Sequence, residues 1–371
     1  MIYCKHCLYP NTKPDLWFNE KGICSACISY EMRKTKDWKK LEELFHETIR
    51  IHKSHPIYDC IVPVSGGKDS HYQIIQMLKF GYKPLAVCAR TDDLSLTGRA
   101  NLDNIAKMGV DLIEINTNRN VRGIIANYAL VTIGDISWSE HVTIFTVPFI
   151  VAKQMGINLI IYGENPQNEY GGPEGTDEVT YMDENWLAEF GGLNGLRVDD
   201  LVEKRIAKEE NLFYYRMPQN VKQVKAIFLG QFFKWDGIEN AKIARNYGFK
   251  WYHSPVEGSG VMYENLDNHQ TGIHDYFKYL KFGFGRATDI ACNMIRRKIW
   301  TIKQAKAHVA TFDGVYPLYY MGQHLDATLS KIGMDRKEFN KVTRKFMNKN
   351  IFEIDKNGEI TPKFTGDLYN A

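Results

Sequence analysis

The densest chemistry in the chain is Ser65-Gly66-Gly67-Lys68-Asp69-Ser70. Two glycines let the backbone approach a ligand with no Cβ in the way. Ser65, Ser70 and the unpaired N–H groups of a following helix would aim donors into one small volume. Lys68 adds a full positive charge, and a helix N-terminus adds about half of one. This pattern describes an anion site, and a polyphosphate fits it best. The pattern G-x-x-x-x-G-K-[ST] occurs nowhere, so the loop is shorter than that of kinases and GTPases and begins on serine. The competing reading is a plain glycine turn with solvated polar residues.

A second cluster is metal chemistry. Cys4-Lys5-His6-Cys7 and Cys24-Ser25-Ala26-Cys27 are C-x-x-C knuckles separated by sixteen residues, a spacing that brings four thiolates into one tetrahedron around zinc. A redox dithiol pair and an iron–sulfur cluster are the alternatives. Four sulfurs leave no open coordination position, which assigns the site to folding or docking. A third cluster is the polar run Gly163-Glu164-Asn165-Pro166-Gln167-Asn168-Glu169-Tyr170-Gly171-Gly172. Its amides and carboxylates can ligate Mg²⁺, hydrogen-bond a ribose or hold a polar substrate; an ordinary connecting loop is the alternative. Arg286 follows the turn Gly283-Phe284-Gly285. It could clamp a phosphate or sugar carboxylate, or be a surface arginine capping a helix. Of His141, His253, His269 and His274, only His141 is carried as a candidate, for its place in Trp138-Ser139-Glu140-His141.

These residues need elements to hold them. Ile61–Val64 reads as a strand that breaks into the glycine pair and then into a helix carrying Ile74, Ile75, Leu78 and Phe80, stopped by Gly81. Pro63 removes a ladder donor from a strand that should be central, so it is expected where the strand ends. Further strands are expected at Pro84–Ala89, Leu112–Ile115, Leu159–Tyr162 and Lys225–Gly230. Helices are expected at Asn101–Met108, Val142–Met155 and Gly237–Tyr247. Such alternation predicts βαβ units and a parallel sheet, with ligands at the carboxyl ends of strands. That adds Ala89, Arg90, Thr91 and Asp92 to the candidates. The rhythm lapses from Gly171 to about Val221, with short helices expected at Asp183–Phe190 and Val198–Glu210. Such an insertion suits a lid or substrate wall. Before the sheet, Lys36–Lys53 carries Trp38, Leu41, Leu44, Phe45 and Ile49 at helical spacing, a face expected to pack the cysteine segment on the next domain. Beyond Val256 the pattern is helical, at Asp275–Phe282, Ala287–Trp300, Ile302–Val309 and Asp335–Met347, the last with a capping box from Asp335 and Glu338.

The chain has 371 residues, 47 basic and 44 acidic, for a net charge of +3. That balance gives no strong field for nucleic acid or membrane. No apolar window reaches eighteen residues, and the N-terminus lacks the apolar run of a signal peptide, so a cytoplasmic protein with reduced cysteines is expected. The expected domains are 1–53 (zinc ribbon plus linking helix), 54–255 (nucleotide domain with an insertion about 171–221) and 256–371 (helical substrate or partner domain).

Ser-Gly-Gly-Lys-Asp-Ser after a strand resembles the pyrophosphate loop of the PP-loop ATP pyrophosphatases, which adenylate a substrate oxygen. Together with both knuckles, the Gly163–Gly172 run, Phe233-Lys234-Trp235-Asp236-Gly237 and Lys281-Phe282-Gly283-Phe284-Gly285-Arg286-Ala287-Thr288-Asp289, the chain resembles the bacterial N-acetyl sugar amidotransferases of O-antigen and nonulosonic-acid pathways. The resemblance runs over nearly the whole chain. It implies an α/β parallel-sheet PP-loop domain (HUP-like, adenine nucleotide α hydrolase) with an N-terminal zinc ribbon and a mainly helical C-terminal region. It also implies ATP and Mg²⁺, an N-acetyl sugar substrate, and ammonia from a separate glutaminase with a cyclase-like channel subunit. Lys68 and Asp69 would be catalytic, and Ser65, Gly66, Gly67, Ser70, Ala89, Arg90 and Gly163 would hold ATP. Glu164, Asn165, Gln167, Asn168, Glu169, Tyr170, Arg286, Asp289 and His141 would hold the sugar. The chain starts Met1-Ile2, so it offers no N-terminal cysteine nucleophile, and no Cys-His-Glu glutaminase is evident after Ser70. Cys60, Cys88 and Cys292 are bystanders. The runner-up is a PP-loop tRNA thiolase, which would need further thiols and a basic face; a nucleotide-gated scaffolding module is a third reading.

Overall fold

The computed structural model describes residues 1–172 and 193–363. Five strands, β1 (Cys60–Pro63), β2 (Pro84–Ala89), β3 (Leu112–Ile115), β4 (Leu159–Tyr162) and β5 (Lys225–Phe228), pair in parallel in the order β3-β2-β1-β4-β5. The expected α/β class and parallel sheet are borne out. The central strands β1, β2 and β4 are apolar on both faces because helices cover both. On one side Cys60 and Val62, Ala86 and Cys88, Leu159 and Ile161, and Ile227 join Ile74 and Met77 of the helix Lys68–Lys79. On the other, Ile61, Leu85, Val87, Ile160 and Phe228 meet Val147, Phe149 and Val151 of the helix Trp138–Met155.

Strand order reverses beside β1, so the crevice between β1 and β4 is the topological switch point where such sheets bind ligands. Pro63 ends β1, as expected. The Val64 N–H donates to Val87 O at 2.9 Å, so Pro63 turns its donorless nitrogen toward β4, with which β1 pairs only at Ile61 and Ile160. The crevice opens where the ladder has no donor to close it.

Several elements differ from expectation. The helix Arg119–Ile133 was not anticipated; the Asn118 side chain caps it by accepting from the Asn120 and Val121 N–H groups. The helix expected at Asn101–Met108 begins earlier, at Leu96, where Ser95 caps it. In Trp38–His52, Phe45, Thr48 and Ile49 are buried while Leu44 is 49% exposed. That helix therefore packs on the sheet layer through Phe45 and Ile49. The cysteine segment instead docks on the C-terminal helices Arg286–Arg296 and Ile302–Phe312. Asp335 caps Arg336–Phe346 by accepting from Glu338 N–H at 2.7 Å. Val198–Glu203 is shorter than expected, and the helix expected at 183–190 lies outside the described residues. Among the described residues no helix is long and apolar enough to cross a membrane.

Candidate functional site

The anion loop stands where the sequence puts it, between the end of β1 and the helix Lys68–Lys79, with Gly67 at the helix N-cap. Gly66 has φ +93°, and a Cβ there would meet Leu102 N at 3.0 Å and Gly98 O at 3.1 Å. Only glycine can hold this turn against the neighbouring backbone. The loop is braced from inside: Ser65 N–H donates to Ser70 Oγ at 2.9 Å, Gly67 N–H to Ser65 Oγ at 3.3 Å, and His71 Nδ1 lies 2.9 Å from Gly67 O.

Lys68 is buried and points to carboxylates, Asp69 Oδ2 at 2.7 Å and Glu264 Oε1 at 2.8 Å. Burial works against its ammonium, but Asp69 and Glu264 outweigh burial and hold its pKa well above the ordinary lysine value. Asp69 Oδ1 accepts from the Asn240 amide at 3.0 Å. Burial first, then the charge of Glu140, pushes Asp267 up to about 6, and Ser65 hydrogen-bonds its carboxyl. A segment two hundred residues downstream thus closes over the loop.

One cavity joins six of the candidates. Lys68, Glu164, Glu169, Tyr170, Arg286 and Asp289 line about 480 Å³ of empty space, open solvent included, with Trp235, Tyr263, Glu264 and Arg297. Glu164 follows β4; burial first and Asp69 second push its carboxyl up to about 8. Tyr170 hydroxyl lies 3.4 Å from Glu164 Oε2. Gly163 has no room for a side chain, since a Cβ would meet Gln73 Nε2 at 2.5 Å. Asn165 is buried, and its carbonyl accepts from Glu169 N–H at 3.2 Å. Glu169 pairs with Arg33, and with Arg297 at 3.6 Å. The side chains of Gln167 and Asn168 lie outside the described residues.

Arg286 opens the helix Arg286–Arg296 but does not cap it on the surface. Its guanidinium turns inward, 3.4 Å from Asp275 and 3.6 Å from Asp289. The cap comes from Asp313, which accepts from the N–H groups of Gly285 and Ala287, both at 2.9 Å. Asp289 also accepts from Tyr9 hydroxyl at 2.9 Å and from Lys278. Burial opposes the charge on Asp289; Lys278 and Arg286 outweigh it and keep the carboxyl below the ordinary range. Ala89 ends β2 and Arg90 continues the ladder through its N–H to Ile115 O at 3.0 Å. Neither lines the cavity, and nor does His141, which stands beside Asp135 and His274.

Sequence reasoning missed Glu264, Asp267, Asn240 and Arg297, because each reaches the site through a tertiary contact with no local motif. Asp236 was nearer to legible: it caps Gly237–Asn246 and accepts from Arg297 at 2.6 Å.

The four knuckle cysteines are buried, with ligand atoms all within 4.8 Å of one another. Cys7 and Cys24 Sγ lie 3.7 Å apart. A tetrahedron with Zn–S bonds of about 2.3 Å has edges of roughly 3.8 Å, so the set fits a zinc ion. The N–H groups of His6 (3.4 Å) and Cys24 (3.3 Å) point at Cys4 Sγ. Cys292 packs against this cluster and not in the sheet.

Residues 242–364 match the family model described as LPS biosynthesis protein WbpG-like, C-terminal domain. That match, over about a third of the chain, supports a place in a lipopolysaccharide-biosynthesis family. No curated protein matches the chain. The WbpG-like region supplies Glu264, Arg286, Asp289 and Arg297 to the cavity wall and Asp267 to the loop.

Proposed function

We propose that the protein is a PP-loop amidotransferase of bacterial surface-polysaccharide biosynthesis, converting the acetamido group of an N-acetyl sugar to an acetamidino group with ATP and ammonia. The observation that carries this reading is Lys68: a buried cation at a helix N-terminus, on the switch point of a parallel sheet, facing one cavity with Glu164 and Arg286. The lipopolysaccharide match supports the pathway.

An amide oxygen is a poor leaving group. In the proposed reaction that oxygen attacks the α-phosphorus of ATP, the α–β bridge breaks, and pyrophosphate leaves. Ammonia adds to the resulting imidate carbon. The carbon–oxygen bond breaks, AMP carries the oxygen away, and nitrogen gives up a proton. The protein's share is positioning and charge neutralisation. Loop N–H groups and Lys68 would hold the departing pyrophosphate. Asp69, tied to Lys68 and Asn240, would orient the loop, with Mg²⁺ on the phosphates. Arg286 would bind the sugar's acidic group. Glu164, whose charge burial suppresses, is suited to donate a hydrogen bond to the sugar's polar atoms, and the proton released by nitrogen would pass to solvent. Ammonia would come from a separate glutaminase through a cyclase-like subunit, in the cytoplasm.

A sulfur relay finds little support. Cys60 and Cys88 lie in the sheet core, burial pushes both thiols up, and no described cysteine lines the cavity. The test is to offer ATP, an ammonium salt and a panel of N-acetyl sugars, and to look by mass for exchange of oxygen for NH with release of AMP and pyrophosphate. Lys68→Ala should lower turnover by about 10²-fold or more. Pyrophosphate release that ignores the sugar, or an unaffected Lys68→Ala enzyme, would refute the proposal.

A further inference from the structure

Asp135, His141 and His274 form a cluster that the proposed reaction does not use. Three helices deliver it. Asp135 follows Arg119–Ile133 after Gly134, which takes the left-handed conformation at φ 68°. His141 lies in the first turn of Trp138–Met155 and His274 in the first turn of Thr271–Phe282. One ligand atom from each falls within 4.8 Å of the other two. His274 Nδ1 is 3.0 Å from Asp135 Oδ1, and His141 Nδ1 is 3.2 Å from Oδ2. Two ligands each about 2.1 Å from a divalent ion, at right-angle to tetrahedral separation, stand roughly 3.0–3.4 Å apart. Both spacings fit that range.

The surroundings of the carboxylate also suit a shared ion. Asp135 Oδ1 already accepts Ser137 N–H at 2.9 Å, the kind of outer contact that orients a ligating carboxylate. Oδ2 is buried and faces His141 Nδ1 at 3.2 Å, so each carboxylate oxygen meets one imidazole. Lys281 ends on the carbonyls of Gly134 (3.1 Å) and Ile133 (3.5 Å) and makes no ion pair with Asp135 among those residues. The groups that face the buried carboxylate's charge are the two imidazoles. The rings meet at 80° with centroids 5.3 Å apart, so both present Nδ1 to the carboxylate without stacking.

We propose that Asp135, His141 and His274 bind a divalent first-row transition-metal ion. Two imidazoles and one carboxylate suit Zn²⁺, Co²⁺ or Fe²⁺ better than Mg²⁺ or Ca²⁺, which prefer oxygen alone. The carboxylate is 2% exposed and the imidazoles 27% and 28%, so the ion is anchored inside and open to water outside. It differs in this from the closed four-thiolate site, and it ties the WbpG-like helix Thr271–Phe282 to two helices of the sheet layer.

The test uses the full chain exchanged with Co²⁺ and desalted, read by elemental analysis and absorption. Two ions per chain are expected, one for each cluster. The thiolate-bound ion gives an intense sulfur-to-metal band; the second gives weak visible bands only. His141→Ala and His274→Ala should each lower the content from two to one and leave the sulfur band intact, which also reports that the ribbon remains folded. Asp135→Asn, which preserves shape, should weaken the second site alone. Wild-type protein holding a single thiolate-bound ion, or histidine variants that retain both, would overturn the proposal and leave a carboxylate-bridged histidine pair.

Discussion

Removing the charge at Glu164 gives a sharp test of the cavity's electrostatics, independent of any reaction. The carboxyl is pushed from 4.5 to about 8 by burial and by Asp69. Between those values the folded protein holds a proton that the unfolded chain has released. Stability therefore falls as pH rises through this window and is unaffected below it. The full shift corresponds to about 5 kcal/mol. Glu164 retains partial exposure, and solvent screening brings the expectation to about 2–3 kcal/mol. Glu164→Gln keeps the shape of the neutral acid and cannot ionise. Its stability should match wild type within about 1 kcal/mol at pH 5 and exceed it by about 2–3 kcal/mol at pH 9. Urea unfolding of both proteins at unit steps of pH measures the difference, provided the m-values agree. A difference that stays flat from pH 5 to 9, or one that favours wild type as pH rises, would refute the reasoning.

Two further perturbations follow from buried contacts. Glu169→Ala takes a buried carboxylate from Arg33, 10% exposed, and from Arg297, which keeps its pair with Asp236; urea unfolding should register a loss of about 3–5 kcal/mol, much of it recovered in the double variant Arg33→Met, Glu169→Met. Cys24→Ser removes one of four thiolates; it should abolish zinc binding by the ribbon and speed amide exchange in Arg286–Arg296, the helix the ribbon covers, whereas unchanged exchange would detach the metal from the docking.

Strands β1, β2 and β4 were legible because a parallel strand buried on both faces is a short apolar run, whatever its partners. Arg119–Ile133 was hidden by two residues with tertiary duties. Arg122 is buried, paired with Asp92, and interrupts the apolar face. Gly123 reads as a breaker, yet a Cβ there would meet Lys331 O at 2.6 Å, so its absence of side chain serves helix approach. The loop Ser65–Ser70 was legible as geometry because strand, glycines and helix are contiguous. Its counter-charges were not: Glu264 and Asp267 lie in an irregular segment whose residue types say only that the chain turns.

The ribbon's contacts bear on the cavity more directly than its distance from Lys68 in sequence suggests. Tyr9, fully buried between the two knuckles, donates to Asp289; Arg33, just past the second knuckle, holds Glu169. Both acceptors line the cavity, and each is shared with an arginine of the WbpG-like region, Arg286 and Arg297. Buried ion pairs of this kind contribute little net stability compared with apolar packing of equal volume. What they do is fix where charge sits: with Tyr9 and Arg33 in place, the two carboxylates point at the arginines and leave Lys68 to Asp69 and Glu264. A ribbon that loses its fold would release Asp289 and Glu169 together. The wall facing Lys68 would then change its charge pattern without any change in the loop itself.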